Sequence, residues 1–184
     1  MYVDKKLYSG GAAGREDKEA RCYALLDSLA VAYCRVDHEH ADSIECCKEV
    51  ETVLGCPICK NLFLCNRQQT DFYLLAMPGS KPFKTKLLSK QIGVSRLSFA
   101  DAAHMEKYLD IQPGSVSVLG LMNDREGAVR LLIDRDLLSE QYFGCHPCLN
   151  TSSLRISTDD LIDRVLPALG HEPTYVELPW EPEA

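Results

Sequence analysis

The 184-residue chain predicts one α/β domain: a mixed, mostly antiparallel β-sheet surrounded by helices. Three observations predict it. Hydrophobic residues make up 46% of the sequence, enough for a globular core. Helical and strand periodicities are interspersed along the chain, yet several strands meet through short polar turns, which makes them antiparallel neighbours. Neither an internal repeat nor a long linker divides residues 1–184, so they read as a single unit with a flexible lead over 1–14 and a tail over 179–184.

Each element follows from local pattern. Tyr23, Leu26, Leu29 and Ala30 recur at helical spacing and predict a helix over 15–33, followed by a short strand over 35–38. Asp42 and Glu45 have the spacing of a capping box, and Ile44, Cys47, Val50 and Leu54 share one face, so a second helix runs to a stop at Gly55. Apolar runs over 61–65 and 72–77 flank the turn Asn66-Arg67-Gln68-Gln69 and form a hairpin whose first strand begins at Lys60. Beyond the break at Pro78-Gly79 come a basic helix over 85–92, a brief strand over 96–99 and a helix over 102–109. Pro113-Gly114 turns the chain back. Strands over 116–119 and 128–134 surround a turn at 123–127, and a short helix over 137–141 leads into the loop Gly144-Cys145-His146-Pro147-Cys148. A strand over 149–156, a helix over 159–169 capped by Gly170 and a strand over 175–178 complete the pattern.

Composition narrows the function. The opening MYVDKKLYSGGAAG lacks the apolar run of a signal peptide, and no stretch reaches the roughly 20 apolar residues of a membrane helix, so no membrane is expected and the cytoplasm is the expected compartment. Nine cysteines, with Cys46 and Cys47 adjacent, argue against a tidy disulfide framework. A net charge of -7 argues against a general nucleic-acid binder with a uniformly basic surface, and no DNA partner is expected. Local distribution says something different. From Phe72 to Ala100 there is no Asp or Glu, while Lys81, Lys84, Lys86, Lys90 and Arg96 give the segment +5. Such a stripe suits a short contact with a phosphate backbone and is equally compatible with a solvated helix face.

Two constellations carry chemistry. The pairs Cys56-Pro57-Ile58-Cys59 and Cys145-His146-Pro147-Cys148 are the usual material of a tetrahedral zinc site, although they lie far apart in sequence. Redox exchange prefers such a pair at a helix N-terminus, whereas here the first leads into a strand. The second constellation is Lys60-Asn61 at a strand start together with Gly144-Cys145-His146-Pro147. A Gly followed by a Pro three residues on can aim consecutive N–H groups at an ester carbonyl. A lysine there fixes positive charge, and a neutral histidine can orient or deprotonate water. Taken singly, Lys60 fits a surface lysine and His146 a structural histidine.

Six segments, VDHEHADSIE, CKNLFL, FKTKLLSKQIG, RLSFA, PGSVSVLGLMND and FGCHPCLNTSSLRI, resemble one family in unbroken order from about Val36 to Leu178. They are similar to the trans-editing proteins of the YbaK/ProX type, relatives of the editing insertion of prolyl-tRNA synthetase. The resemblance implies a single mixed α/β domain that hydrolyses the aminoacyl ester at the acceptor end of mischarged tRNA(Pro), with no cofactor and no required metal. Its GxHP loop and PGSVSVLGLMND segment look more like the alanine-removing branch than the cysteine-removing one. Carried over residue by residue, it makes Lys60 and His146 the principal functional side chains, with Gly144 and Pro147 shaping an amide cradle and Cys145 lining it. Asn61 is expected beside the substrate, His38 and Ser43 in the pocket wall, and Ser117, Gly120 and Asn123 in a matching segment that shapes the site. Lys81, Lys84, Lys86 and Lys90 are the candidates for the acceptor stem, and prolyl-tRNA synthetase is a candidate partner. The chain departs from the family pattern at His38-Glu39-His40 and in its cysteines at 56, 59, 145 and 148. Rival readings are a zinc-binding, non-catalytic module, a tRNA binder without catalysis, and a Cys-tRNA(Pro) deacylase.

Overall fold

A computed structural model describes residues 1–40 and 44–181. Among them, strands form two sheets rather than one. The smaller runs in the order β1 (Tyr8–Ser9), β2 (Tyr33–Asp37), β8 (Ser152–Ser157), β7 (Tyr142–Cys145), antiparallel throughout. The larger runs β5 (Ser98–Phe99), β3 (Lys60–Cys65), β4 (Phe72–Met77), β6 (Val129–Asp134), β9 (Thr174–Val176). Its first three strands are antiparallel, and β6 and β9 add in parallel. Helices α1 (Asp17–Ser28), α2 (Ile44–Leu54), α3 (Thr85–Gln91) and α4 (Ala102–Leu109) pack around these sheets with a terminal helical run over 158–169. The mixed α/β domain expected from the sequence is the one observed.

β4 is buried on both faces, which is why it reads as the unbroken apolar run FYLLAM. Phe72, Leu74 and Ala76 enter the main core with Phe63, Leu154 and Ile156. Tyr73, Leu75 and Met77 face the other way and pack with Leu64, Leu88 and Leu97 beneath α3. Each fully buried leucine in these layers contributes about 1.5–3 kcal/mol. A third cluster, Val36, Val50, Leu54, Cys56 and Ile58, holds α2 against the smaller sheet. Gly55, at φ +74, ends α2 in a conformation that other residues adopt only with strain.

Several elements differ from expectation. The run expected as a strand over 116–119 instead enters a 3-10 turn at Val118–Asn123, because the Ser117 hydroxyl accepts the Leu119 N–H and caps it. The alternation Val116-Ser117-Val118 has the period of a strand, and only the capping contact of Ser117 tells the two apart. Gly144 and Cys145, expected in a loop, end strand β7. The lead over 1–14 lies along the smaller sheet, where Val3 is buried and bridged to His38 and the Gly10 N–H donates to the Tyr33 carbonyl. In the tail, the Trp180 Nε1–H donates to Asp136. The expected helix cap Asp42 lies outside the described residues.

Candidate active site

The two sheets, packed through the main core, also meet by backbone pairing. There the Cys59 N–H donates to the Gly144 carbonyl at 2.9 Å, and Ile58 and Gly144 form an isolated parallel bridge. The joint needs glycine at 144 for space rather than torsion. A Cβ there would lie 2.4 Å from the Pro57 carbonyl oxygen and 3.2 Å from the Cys56 sulfur. The turn before β3 is held in turn by the Glu51 carboxylate, which accepts the Ile58 N–H at 2.9 Å. Backbone pairing therefore sets the residue before Lys60 against the first residue of the GCHP segment.

From this joint the predicted side chains diverge. The half-buried Lys60 ammonium donates to the Lys81 carbonyl at 2.8 Å, and desolvation lowers its pKa. Asn61 points to the opposite face of β3, where its amide nitrogen approaches the Cys59 sulfur at 3.2 Å and its Oδ1 is buried with no hydrogen-bond partner among the described residues. Cys145 is buried against Cys59 and receives the Ser117 hydroxyl, and burial holds its thiol well above the usual range. Pro147 is buried, and Cys148 after it takes the left-handed conformation at φ +62, a local strain of the kind found beside functional loops.

His146 and His38 form a second group, their ring centroids 6.1 Å apart. Carbonyl partners fix both tautomers. Nδ1–H of His38 donates to the Glu39 carbonyl at 2.7 Å, so its Nε2 accepts from the Ser153 hydroxyl at 2.9 Å. Nδ1–H of His146 donates to the Ser152 carbonyl at 3.1 Å, with the Ser153 oxygen at 3.2 Å, and its Nε2 remains an acceptor. Burial pushes His146 down to about 4 and lowers His38 as well, so the pair is held neutral.

A cleft of about 420 Å³ opens at the joint, lined by Ile58, Cys59, Gly79, Tyr142, Gly144 and Trp180. Neither Lys60 nor His146 is among the residues lining it. The structure thus brings the two segments together through their backbones, while the two side chains make separate contacts.

One expectation is corrected, and the other residues take the following places. Lys81 is 1% exposed, and its ammonium sits 2.8 Å from Asp134 and 2.9 Å from Asp136, so it is a buried ion-pair partner and not a surface for RNA. Gly120 serves packing: a Cβ there would lie 2.5 Å from Ile111 Cδ1 and 3.2 Å from Leu109 Cβ. Asn123 ties the 3-10 turn to its neighbours, donating to the Leu109 carbonyl at 2.7 Å and accepting from Arg21 at 2.8 Å. Lys84, Lys86 and Lys90 are exposed on and just before α3. Ser43 lies outside the described residues. Among the described residues, no group of three or more His, Cys, Asp or Glu side chains is arranged to hold a metal ion, and no helix is long and apolar enough to cross a membrane. Burial raises the Cys56 thiol to about 11 and Cys59 to about 12, which keeps both protonated.

Sequence reasoning passed over Ser153, which bridges the two histidines, and Glu51, which fixes the turn before Lys60. The alternation of β8 points Ser153 to the loop side, but only the pairing of β8 with β2 and β7 shows what it meets.

Comparison with known proteins gives the same direction. The sequence profile of the family described as "Aminoacyl-tRNA editing domain" matches residues 38–164. The chain is 29% identical over 162 residues to the prolyl-tRNA editing protein ProX of Acetoanaerobium sticklandii, covering 88% of this chain and 98% of that one. It is 29% identical over 155 residues to the prolyl-tRNA synthetase associated domain-containing protein 1 of Mus musculus, covering 80% and 89%. The fold matches the crystal structure of a candidate trans-editing enzyme for prolyl tRNA synthetase with a TM-score of 0.66 at 15% identity, over 90% of this chain and 100% of that one. Spanning Lys60, Asn61 and the Gly144–Pro147 segment on this fold, the match shows that the chain belongs to the aminoacyl-tRNA editing domain family and, with it, to the aminoacyl-tRNA hydrolases.

Proposed function

We propose that this chain is a trans-editing deacylase that hydrolyses the ester of mischarged tRNA(Pro), with alanine as the residue it removes. The observation that carries the reading is the 2.9 Å bond from the Cys59 N–H to the Gly144 carbonyl, which sets the Lys60 strand end beside the GCHP segment. The likeness to relatives named for prolyl-tRNA editing supports the tRNA, and the GxHP loop supports alanine.

An aminoacyl ester is already activated and has a neighbouring ribose hydroxyl, so positioning suffices and no covalent nucleophile is required. In this reading the amides around Cys145 and His146 polarise the ester carbonyl, and loss of one such donor costs about 3–4 kcal/mol of transition-state stabilisation. Lys60 fixes the terminal phosphate or the carbonyl oxygen, and water attacks with help from the ribose hydroxyl. With a pKa of about 4, His146 is too weak a base to lead proton abstraction near neutrality. Its role is to orient, through the Nε2 lone pair left by the bond from Nδ1 to Ser152. In this reading the Asn61 Oδ1, buried and without a hydrogen-bond partner among the described residues, accepts a donor of the bound substrate from the side of β3 away from Lys60.

Proline is excluded by size. One methylene is worth only about 1–3 kcal/mol as favourable contact, so steric rejection carries the discrimination. Prolyl-tRNA synthetase, whose errors this reaction corrects, is the partner the reading implies, and the cytoplasm is its place. A panel of tRNA(Pro) charged with alanine, cysteine, serine or proline tests it. Alanine should be released fastest and proline spared; rapid hydrolysis of the prolyl ester, or faster release of cysteine than alanine, overturns the substrate assignment.

A further inference from the structure

The segment without acidic residues holds more than lysines. Phe99, at the outer edge of the larger sheet, is 61% exposed. Its ring meets Phe83 edge to face, with centroids 6.1 Å apart and planes at 69°. Phe83 is itself anchored, packing against the cluster beneath α3. An exposed aromatic braced by a half-buried one has a fixed orientation and pays little conformational entropy when another ring lies on it.

This pair lies on the same face as Lys60. Side chains alternate along β3, so Lys60, Leu62 and Leu64 share a side, and Phe99 is paired directly with Leu64. Four residues at about 3.3 Å each put the Phe99 register about 13 Å along β3 from Lys60. A second route closes the path, because the Lys60 ammonium donates to the carbonyl of Lys81, two residues before Phe83. The segment that carries both rings also carries the exposed Lys84, Lys86, Lys90 and Arg96, and no Asp or Glu occurs between residues 72 and 100.

We propose that Phe99, braced by Phe83, is a stacking platform for an unpaired base a few nucleotides before the 3′ end of the tRNA. Resting on the deacylase reading for the position of the 3′ end at Lys60, it adds a binding residue outside the reacting centre. Charge complementarity selects the occupant: the exposed cations of this acid-free segment attract a phosphate chain, and the aromatic face accepts a base of any identity. Aromatic stacking of this kind is the common way proteins hold unpaired RNA bases. A salt-dependent contact from the lysines and a salt-insensitive one from the ring then act on the same strand.

The test uses the full chain and an uncharged RNA minihelix of the tRNA(Pro) acceptor arm ending in its single-stranded 3′ tail. Each unpaired base is replaced in turn by 2-aminopurine, and the fluorescence of the bound probe is measured. Wild-type protein should quench one position. Phe99→Ala should abolish that quench and weaken binding about 5- to 150-fold, whereas Phe99→Tyr should retain both. With alanyl-tRNA(Pro), Phe99→Ala should raise KM by a similar factor and leave kcat near the wild-type value. Equal affinity and an intact quench in Phe99→Ala overturn the platform, and would leave the ring as a contact for a protein partner. Loss of affinity in Phe99→Tyr equal to that in Phe99→Ala also overturns it. Because the binding arm needs no hydrolysis, a wild-type protein that stacks the probe but cleaves no ester would refute the deacylase reading while sustaining this one.

Discussion

Replacing Gly144 by Ala places a methyl group 2.4 Å from the Pro57 carbonyl oxygen and 3.2 Å from the Ile58 Cα, both backbone atoms that no rotamer change can move. Ordinary contact distances for such atoms are about 3.5 Å, so the joint between the sheets must open by about 1 Å. That carries the Cys59 N–H and Gly144 carbonyl from 2.9 Å to beyond hydrogen-bonding range. Overpacking costs about 1–3 kcal/mol and an unmet buried donor a similar amount. At roughly 2–4 °C per kcal/mol for a domain of this size, Tm should fall by roughly 5–20 °C. A 1 Å displacement of the GCHP segment should also slow deacylation about a hundredfold, measured below the lowered Tm. Gly120→Ala is the comparison. Its added Cβ meets the Ile111 Cδ1 at 2.5 Å within the core, so stability should fall by about 1–3 kcal/mol while kcat persists. If Gly144→Ala kept wild-type Tm and rate, or if both variants lost rate in proportion to stability, the joint would not be what aligns the site.

Lys81→Met should destabilise the fold by about 3–5 kcal/mol in chemical denaturation, because it leaves Asp134 buried without its cation, yet leave the salt dependence of tRNA binding unchanged. Combined alanine substitution of Lys84, Lys86 and Lys90 should do the reverse, reducing the slope of log affinity against log salt by roughly 2–3 with Tm preserved; an unaltered slope would remove these lysines from the RNA surface. Stability should also depend on acid. His146 is held near 4 when folded and near 6.5 when unfolded, so the unfolded chain binds the extra proton in that window. Stability is therefore full above about pH 6.5 and declines by up to about 3 kcal/mol as pH falls to about 4, with His38 acting in the same direction. His146→Gln should flatten that decline in denaturation curves taken across the range, and an equally steep decline would place its cause elsewhere.

Much of the fold was legible because local signals were strong. The hairpin of β3 and β4 announced itself by two apolar runs around a polar turn, and Asp101, which accepts the His104 N–H, capped α4 at its expected start. What failed was a period read over too few residues: Val116-Ser117-Val118-Leu119 alternates like a strand, yet the chain turns at Val118 into a 3-10 helix capped by Ser117. The site was legible as segments and not as contacts. Lys60 and the GCHP residues were recognisable in sequence, but the bond that joins them links residues 59 and 144 across two sheets. No local pattern reveals that a lysine in a basic stretch, Lys81, turns inward to two aspartates more than fifty residues away. Gly120 and Asn123 likewise belong to a segment that resembles the family, yet their neighbours assign them to packing.

The most direct measurement is single-turnover deacylation of alanyl-tRNA(Pro) by Lys60→Ala beside the wild type, with thermal unfolding of both. Because desolvation already disfavours the Lys60 ammonium, its removal should leave Tm unchanged or slightly higher. The rate should fall at least about 10²–10³-fold. A stable variant that releases alanine as fast as the wild type would contradict the account at its centre.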